Sequence, residues 1–164
     1  MADIMIRKRK RLRSKEIKVY FEEIERRLGI TTFTSDDAVD IAESSEFNVI
    51  YVNGEILAMI YEGMTFLTVR GILKYKPQKK FVTVDMGAVP YVRNGADIMA
   101  PGITDADISI QAGDMAWIRD VKNLVPLAIG IASISGEEMK KGGKGKAIRT
   151  IHYVGDKLWK TEER

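Results

Sequence analysis

The sequence predicts an α+β protein in which a small N-terminal α/β domain precedes a C-terminal β-barrel. Three observations predict it: a helical repeat of apolar residues from Ser14 to Leu28, a hairpin signal at Asn53-Gly54, and a series of short β-like runs divided by glycines beyond Lys80. At 164 residues, of which 45% are hydrophobic, the chain can build one good core or two small ones.

The first element is a helix. Ile17, Tyr20, Phe21, Ile24 and Leu28 recur at three- and four-residue steps, the spacing of a buried helical stripe. Ser14 is the expected N-cap, and Gly29 ends the helix in the left-handed conformation. Side-chain oxygens in Thr34-Ser35-Asp36-Asp37 then suit a second N-terminus, for a short helix through Ile41. From Phe47 the pattern turns to strands. Phe47 to Val52 and Glu55 to Tyr61 flank Asn53-Gly54, which supplies the positive φ angles of a type I′ turn. Phe66 to Val69 reads as a third strand, and Gly71 to Tyr75 as a connection ending before Pro77.

The polar stretch Lys76 to Lys80 marks a change in composition, which sets the expected domains at 1–78 and 79–160 with a polar tail at 161–164. The barrel strands are Phe81 to Asp85, Asp97 to Ala100, Met115 to Ile118, Leu127 to Ile134 and Ala147 to Tyr153. Many short strands with frequent turns favour a closed or nearly closed barrel, because closure protects sheet edges.

Between the first two of those strands lies Gly87-Ala88-Val89-Pro90-Tyr91-Val92-Arg93-Asn94-Gly95-Ala96-Asp97-Ile98-Met99-Ala100-Pro101-Gly102-Ile103. It reads as a short helix or turn, a reversing glycine, a buried strand and a Pro-Gly turn. Gly95 and Gly102 lack a Cβ and let a ligand phosphate or base approach the backbone, and Arg93 adds charge at the same edge.

This run resembles the signature of the PUA domain, in which Gly-Ala-x-Ile-Met-x-Pro-Gly forms part of the RNA-contacting surface; here the matching residues are Gly95, Ala96, Ile98, Met99, Pro101 and Gly102. Gly113-Asp114, Leu127-Ala128-Ile129-Gly130 and Gly145-Lys146-Ala147 follow in the order such a domain has. The closing stretch Ile151 to Trp159 resembles the end of the malignant T-cell amplified sequence family of translation factors, whose N-terminal domain carries a hairpin similar to Val52-Asn53-Gly54-Glu55.

That resemblance implies a pre-PUA-like domain followed by a PUA domain. It also implies RNA partners (tRNA or rRNA), with binding to the small ribosomal subunit near the acceptor end of a tRNA, in initiation, reinitiation or recycling. A protein partner carrying an initiation-factor-like domain is part of the same implication. The alternative is an accessory protein of ribosome biogenesis or RNA modification that recruits an enzyme, and a third reading is a pure protein-interaction module.

In PUA domains the final strand lies beside the glycine motif. The expected RNA contacts are therefore Arg93, Gly95, Ala96, Met99, Pro101 and Gly102, with Lys144, Lys146, Arg149 and Tyr153 from the last strand and the loop before it. A second basic run, Arg7 to Arg11 with Arg13 and Lys15, is either a solvated terminus or a contact to rRNA phosphates.

Other chemistry is excluded by residue type. There is no cysteine, so no disulfide, thiolate zinc site or catalytic thiol, which fits a reducing cytoplasm. His152 is the only histidine and is expected to be structural; alternation from Ile148 puts it on the same strand face as Thr150, with Ile151 and Tyr153 on the other. Trp117 and Trp159 are expected to pack. Asp85, Asp97, Asp105, Asp107 and Asp114 sit at turns and strand ends, where aspartate caps backbone groups. The expectation is a binder and not an enzyme, with no catalytic residues, cofactor or metal. No run approaches the about 18 apolar residues of a spanning helix, and no membrane partner is expected.

Overall fold

The computed structural model describes residues 4–161. Within them the chain forms two compact units.

The first unit holds residues up to Pro77 and takes back the chain from Lys157. Its sheet runs β1 (Arg7–Arg11), β2 (Val39–Glu43), β3 (Asn48–Val52), β4 (Glu55–Tyr61) and β5 (Met64–Leu67) in chain order, every neighbour antiparallel. Consecutive residues from Val49 to Val52 and from Ile56 to Met59 are buried, so both faces of the central strands are covered. Helix α1 (Ser14–Leu28) buries Ile17, Ile24 and Leu28, each worth about 1.5–3 kcal/mol of apolar burial. Gly29 ends it at φ +70°, as expected. Ser14 is already the first helical residue, however, and the preceding Arg13 N–H is capped by Glu16 Oε1 at 3.0 Å. Glu23 ties α1 to β5 by accepting from the Thr65 N–H at 2.7 Å.

The short helix expected through Ile41 is absent. Its oxygens close a turn instead: Asp37 Oδ2 accepts from Thr34 N–H at 2.9 Å, and Thr34 Oγ1 from Asp36 N–H at 3.2 Å. Val39 to Ala42 then pair with Val52 to Val49. The Asn53-Gly54 turn is where the sequence places it, with φ +51° and +91°. A second turn of that kind, Glu62-Gly63 at φ +49° and +78°, starts β5 two residues earlier than expected. Gly71 to Tyr75, expected to form a plain connection, and Val69, expected to end the third strand, lie in helix α2 (Val69–Tyr75), whose start the Thr68 hydroxyl caps by accepting from Gly71 N–H at 3.2 Å.

The second unit spans Gln78–Asp156. Its strands are β6 (Phe81–Val84), β7 (Ile98–Met99), β8 (Ile103–Ala106), β9 (Met115–Asp120), β10 (Pro126–Ala132) and β11 (Lys146–Tyr153), in the order β7-β11-β10-β9-β6-β8. β7 and β8 stand at opposite ends of that order, yet only the 3₁₀ turn Ala100–Gly102 separates them in sequence. Three residues span at most about 10 Å, so the sheet curls into a nearly closed barrel. Val82, Val84, Ile98, Ile118, Ala128 and Ile148 are buried in its core. Two short helices lie outside the strands, α3 (Val89–Val92) and α4 (Gly136–Lys140), the latter capped by Ser135. β8 and α4 were not foreseen in the sequence.

The second domain was expected to reach residue 160. Instead α5 (Lys157–Thr161) belongs to the first unit, where the Arg70 guanidinium lies 3.8 Å over the Trp159 ring and donates to the Trp159 carbonyl at 3.1 Å. Most of the expected polar tail, 162–164, falls outside the described residues.

Candidate nucleic-acid interface

The glycine-rich run of the second unit folds around an apolar pocket of about 420 Å³. Asp85, at the end of β6, starts the turn: its Oδ1 accepts from the Ala88 N–H at 2.9 Å, and its own N–H donates to the Gly102 carbonyl at 2.9 Å. Pro90 sets the first turn of α3. That short helix leaves Tyr91 68% exposed at the pocket, which Met99 and Pro101, both exposed, also line. Ala96, Asp97, Ile98 and Gly102 are also part of its wall.

β7 is a two-residue strand and would be a poor scaffold alone. It is held by β11, with Met99 opposite Lys146 and Ile98 opposite Ile148, and by the Ala100 N–H donating to the Gly145 carbonyl at 2.8 Å. Asp97 fastens the same seam. Its carboxylate accepts from Lys146 Nζ at 2.8 Å and from the Thr150 N–H at 3.0 Å. The Lys146 hydrogen bond, then the Thr150 amide and the nearby Arg149 charge, hold the Asp97 carboxyl below the usual aspartate range.

The expected parity of β11 fails at one point. The register skips Ile151 between the pairs Ile129–His152 and Gly130–Thr150, which makes a bulge. Thr150 and Tyr153 therefore both reach the glycine motif: the Thr150 hydroxyl donates to the Ala96 carbonyl at 3.0 Å, and the Tyr153 ring packs on Gly95. His152, 1% exposed, turns inward and contacts Asp156 Oδ2 through Nδ1 at 2.8 Å.

Of the expected contact residues, Ala96, Met99, Pro101 and Gly102 line the pocket. Gly95 and Tyr153 pack against each other beside it. Lys146 is engaged with Asp97, so its charge is partly neutralised. Arg93, Lys144 and Arg149 are exposed and stand outside the pocket lining. Sequence reasoning missed Tyr91 and Asp97. An aromatic side chain two residues before Arg93, next to a proline, was the available signal for the first; nothing local marked Asp97 as a pocket-edge carboxylate.

An apolar pocket lined by an exposed tyrosine, a thioether and a proline suits a flat, partly apolar group. Two further aspartates of the second unit accept from backbone groups. Asp107 accepts from the Lys80 and Ser109 N–H groups, and Asp114 from Gln111 N–H at 2.9 Å and Lys80 Nζ at 3.0 Å. Among the described residues no group of three or more histidines and acids could hold a metal ion. No helix there is long and apolar enough to cross a membrane.

Two family models match the chain. One, described as a domain of unknown function (DUF1947), covers residues 8–75, and the PUA domain covers residues 80–154. An uncharacterized protein of Methanocaldococcus jannaschii is 40% identical over 88% of this chain and 86% of its own length. Translation machinery-associated protein 20 of Schizosaccharomyces pombe is 34% identical, over 67% of this chain and 64% of its own. Malignant T-cell-amplified sequence 1 of Rattus norvegicus is 33% identical, over 75% and 70%. Among solved structures, a hypothetical protein of Pyrococcus horikoshii superimposes with a TM-score of 0.83 at 34% identity, over 94% of this chain and 99% of that one.

Proposed function

Because the chain belongs to the two-domain PUA family that includes malignant T-cell-amplified sequence 1, we propose that it is an RNA-binding protein of translation. It binds the small ribosomal subunit or the acceptor end of a tRNA, in initiation, reinitiation or recycling, and acts in the cytoplasm. Its role is to bind and position, not to catalyse. The observation that carries this reading is the apolar pocket lined by Tyr91 and Met99 within the PUA signature, in a segment that also carries the exposed Arg93.

The chemistry of binding follows from that geometry. Tyr91 offers a ring on which an unpaired base stacks, a contact worth about 1–3 kcal/mol per base, and Met99 adds an apolar thioether to the same pocket. Arg93, Lys144 and Arg149 then meet the adjoining phosphates, with Lys146 contributing what charge Asp97 leaves it. A protein carrying an initiation-factor-like domain completes the assembly. The relative of S. pombe bears a translation-machinery name, which supports the cellular setting.

The test compares wild type with Tyr91→Ala/Met99→Glu, using intact tRNA, tRNA lacking its single-stranded acceptor end, and small subunits in a sedimentation assay. Loss of at least about tenfold in affinity on intact tRNA or subunits, with folding retained, supports the pocket. Equal binding by wild type and variant overturns it.

A further inference from the structure

The basic run Arg7 to Arg11 forms an edge strand, and all its residues are exposed. Arg9 and Arg11 both turn to Asp40, while Lys8 and Lys10 line one groove with Tyr20, Asn48 and the carboxylates Glu16 and Glu43, of which Glu43 lies 3.8 Å from both Arg7 and Lys8. A second groove is lined by Lys10, Arg11, Arg13 and Lys15 with one carboxylate, Glu16, at the start of α1.

The arginines are held in place. Arg9 donates to Asp40 Oδ2 at 2.8 Å and lies 3.7 Å over the Tyr51 ring, and Arg11 binds the other oxygen of Asp40. Asp40 is buried, and its carboxyl is held below the usual range first by Arg11 and then by Arg9. Two guanidinium groups thus share one carboxylate, which leaves a net positive charge on planar donors whose orientation is already fixed. Lys10, Arg13 and Lys15 make no ion pair among the described residues.

An edge strand is protected from strand addition by one or two charges. A cation at every position of β1, continued into α1, exceeds that need and is the pattern that attracts a polyanion. An added peptide strand would have to bring its backbone in beside the whole row.

We propose that β1 and the first turn of α1 form a second phosphodiester-binding surface, which follows a nucleic-acid backbone without reading its sequence. The choice of RNA as occupant rests on the function proposed above. The residues themselves all lie in the first unit, and none lines the pocket at Met99.

The experiment titrates the full chain with fluorescent polyuridylate at increasing salt, for wild type, Lys10→Glu/Arg13→Glu/Lys15→Glu and the pocket variant Tyr91→Ala/Met99→Glu. Loss of three single-strand phosphate contacts flattens the plot of log affinity against log salt by about 2 and costs about tenfold or more at low salt. The triple variant is expected to show both, with its thermal unfolding unchanged. The neutral variant Lys10→Gln/Arg13→Gln/Lys15→Gln should flatten the slope too, which separates lost contacts from added repulsion. Unchanged slope and affinity in the charge-reversed triple variant overturn the proposal, as does polyglutamate competing as well as RNA. If the pocket variant keeps wild-type binding while the triple variant loses it, the edge-strand surface stands and the pocket reading fails. If the triple variant keeps wild-type binding while the pocket variant loses it, the pocket stands and the edge-strand surface fails.

Discussion

The Tyr153 ring occupies the space a side chain on Gly95 would need: a Cβ on residue 95 would stand 2.7 Å from Tyr153 Cε1. Residue 95 also sits at φ +86°, where an L side chain is strained. Gly95→Ala is therefore expected to destabilise the protein by about 1–3 kcal/mol. Gly95→Ala/Tyr153→Ala should recover part of the loss relative to the sum of the single variants, because the clash is relieved while the φ strain stays. A double-mutant cycle by urea denaturation measures it.

Gly71 gives the contrasting case. A Cβ there would stand 2.1 Å from the Leu57 carbonyl oxygen, which belongs to the backbone of β4 and has nowhere to move. Gly71→Ala should cost more than Gly95→Ala, about 3 kcal/mol or above, and no single truncation of a neighbouring side chain should rescue it. Comparing the thermal midpoints of the two variants, with and without such truncations, checks the ranking.

Asp97 makes stability depend on pH. Its carboxyl titrates lower in the folded chain than in the unfolded one, so the ionised form stabilises the fold above the ordinary aspartate range. That contribution disappears as pH falls through the depressed folded value. Asp97→Asn is expected to cost about 1 kcal/mol at neutral pH, allowing for its partial exposure, and nothing at strongly acid pH. Urea denaturation of both proteins across that range should show the curves converging on the acid side.

The stacking of Arg70 on Trp159 predicts that Arg70→Lys is not a conservative change. Lysine keeps the charge but loses the planar stack and the forked donor, a loss of about 1 kcal/mol. The readout is protease sensitivity of the chain near α5, which should rise in Arg70→Lys and rise further in Trp159→Ala.

The legible parts of the fold were those written in local chemistry. Ile17, Ile24 and Leu28 mark α1 by spacing alone, and Asn53-Gly54 marks its hairpin because few other pairs accept two positive φ angles. The Gly95 to Gly102 run marked a binding surface by its motif, and of its two glycines only Gly95 takes a positive φ. What stayed hidden depends on partners distant in sequence. β2 hides behind capping residues that serve a turn, and only pairing with β3 makes Val39 to Glu43 a strand. Glu62-Gly63 escaped notice because glutamate rarely takes φ +49°. The bulge at Ile151 follows from the register of β10 with β11, which no count along one strand can supply, and it alone brings Tyr153 to the glycine motif. The Lys146–Asp97 pair was invisible for a similar reason, since the two residues meet across the β7–β11 seam.

The return of the chain to the first unit at Lys157 makes the second unit an insertion and not an appendage. A fragment ending at Pro77 would lack α5 and leave Arg70 without the ring it covers, so it is an incomplete domain, and a deletion series stopping there would misattribute its instability to the missing barrel. The faithful dissection replaces Gln78–Asp156 with a short linker and keeps both flanks. One proteolytic cut within the barrel would likewise leave two polypeptides, each carrying part of the first unit.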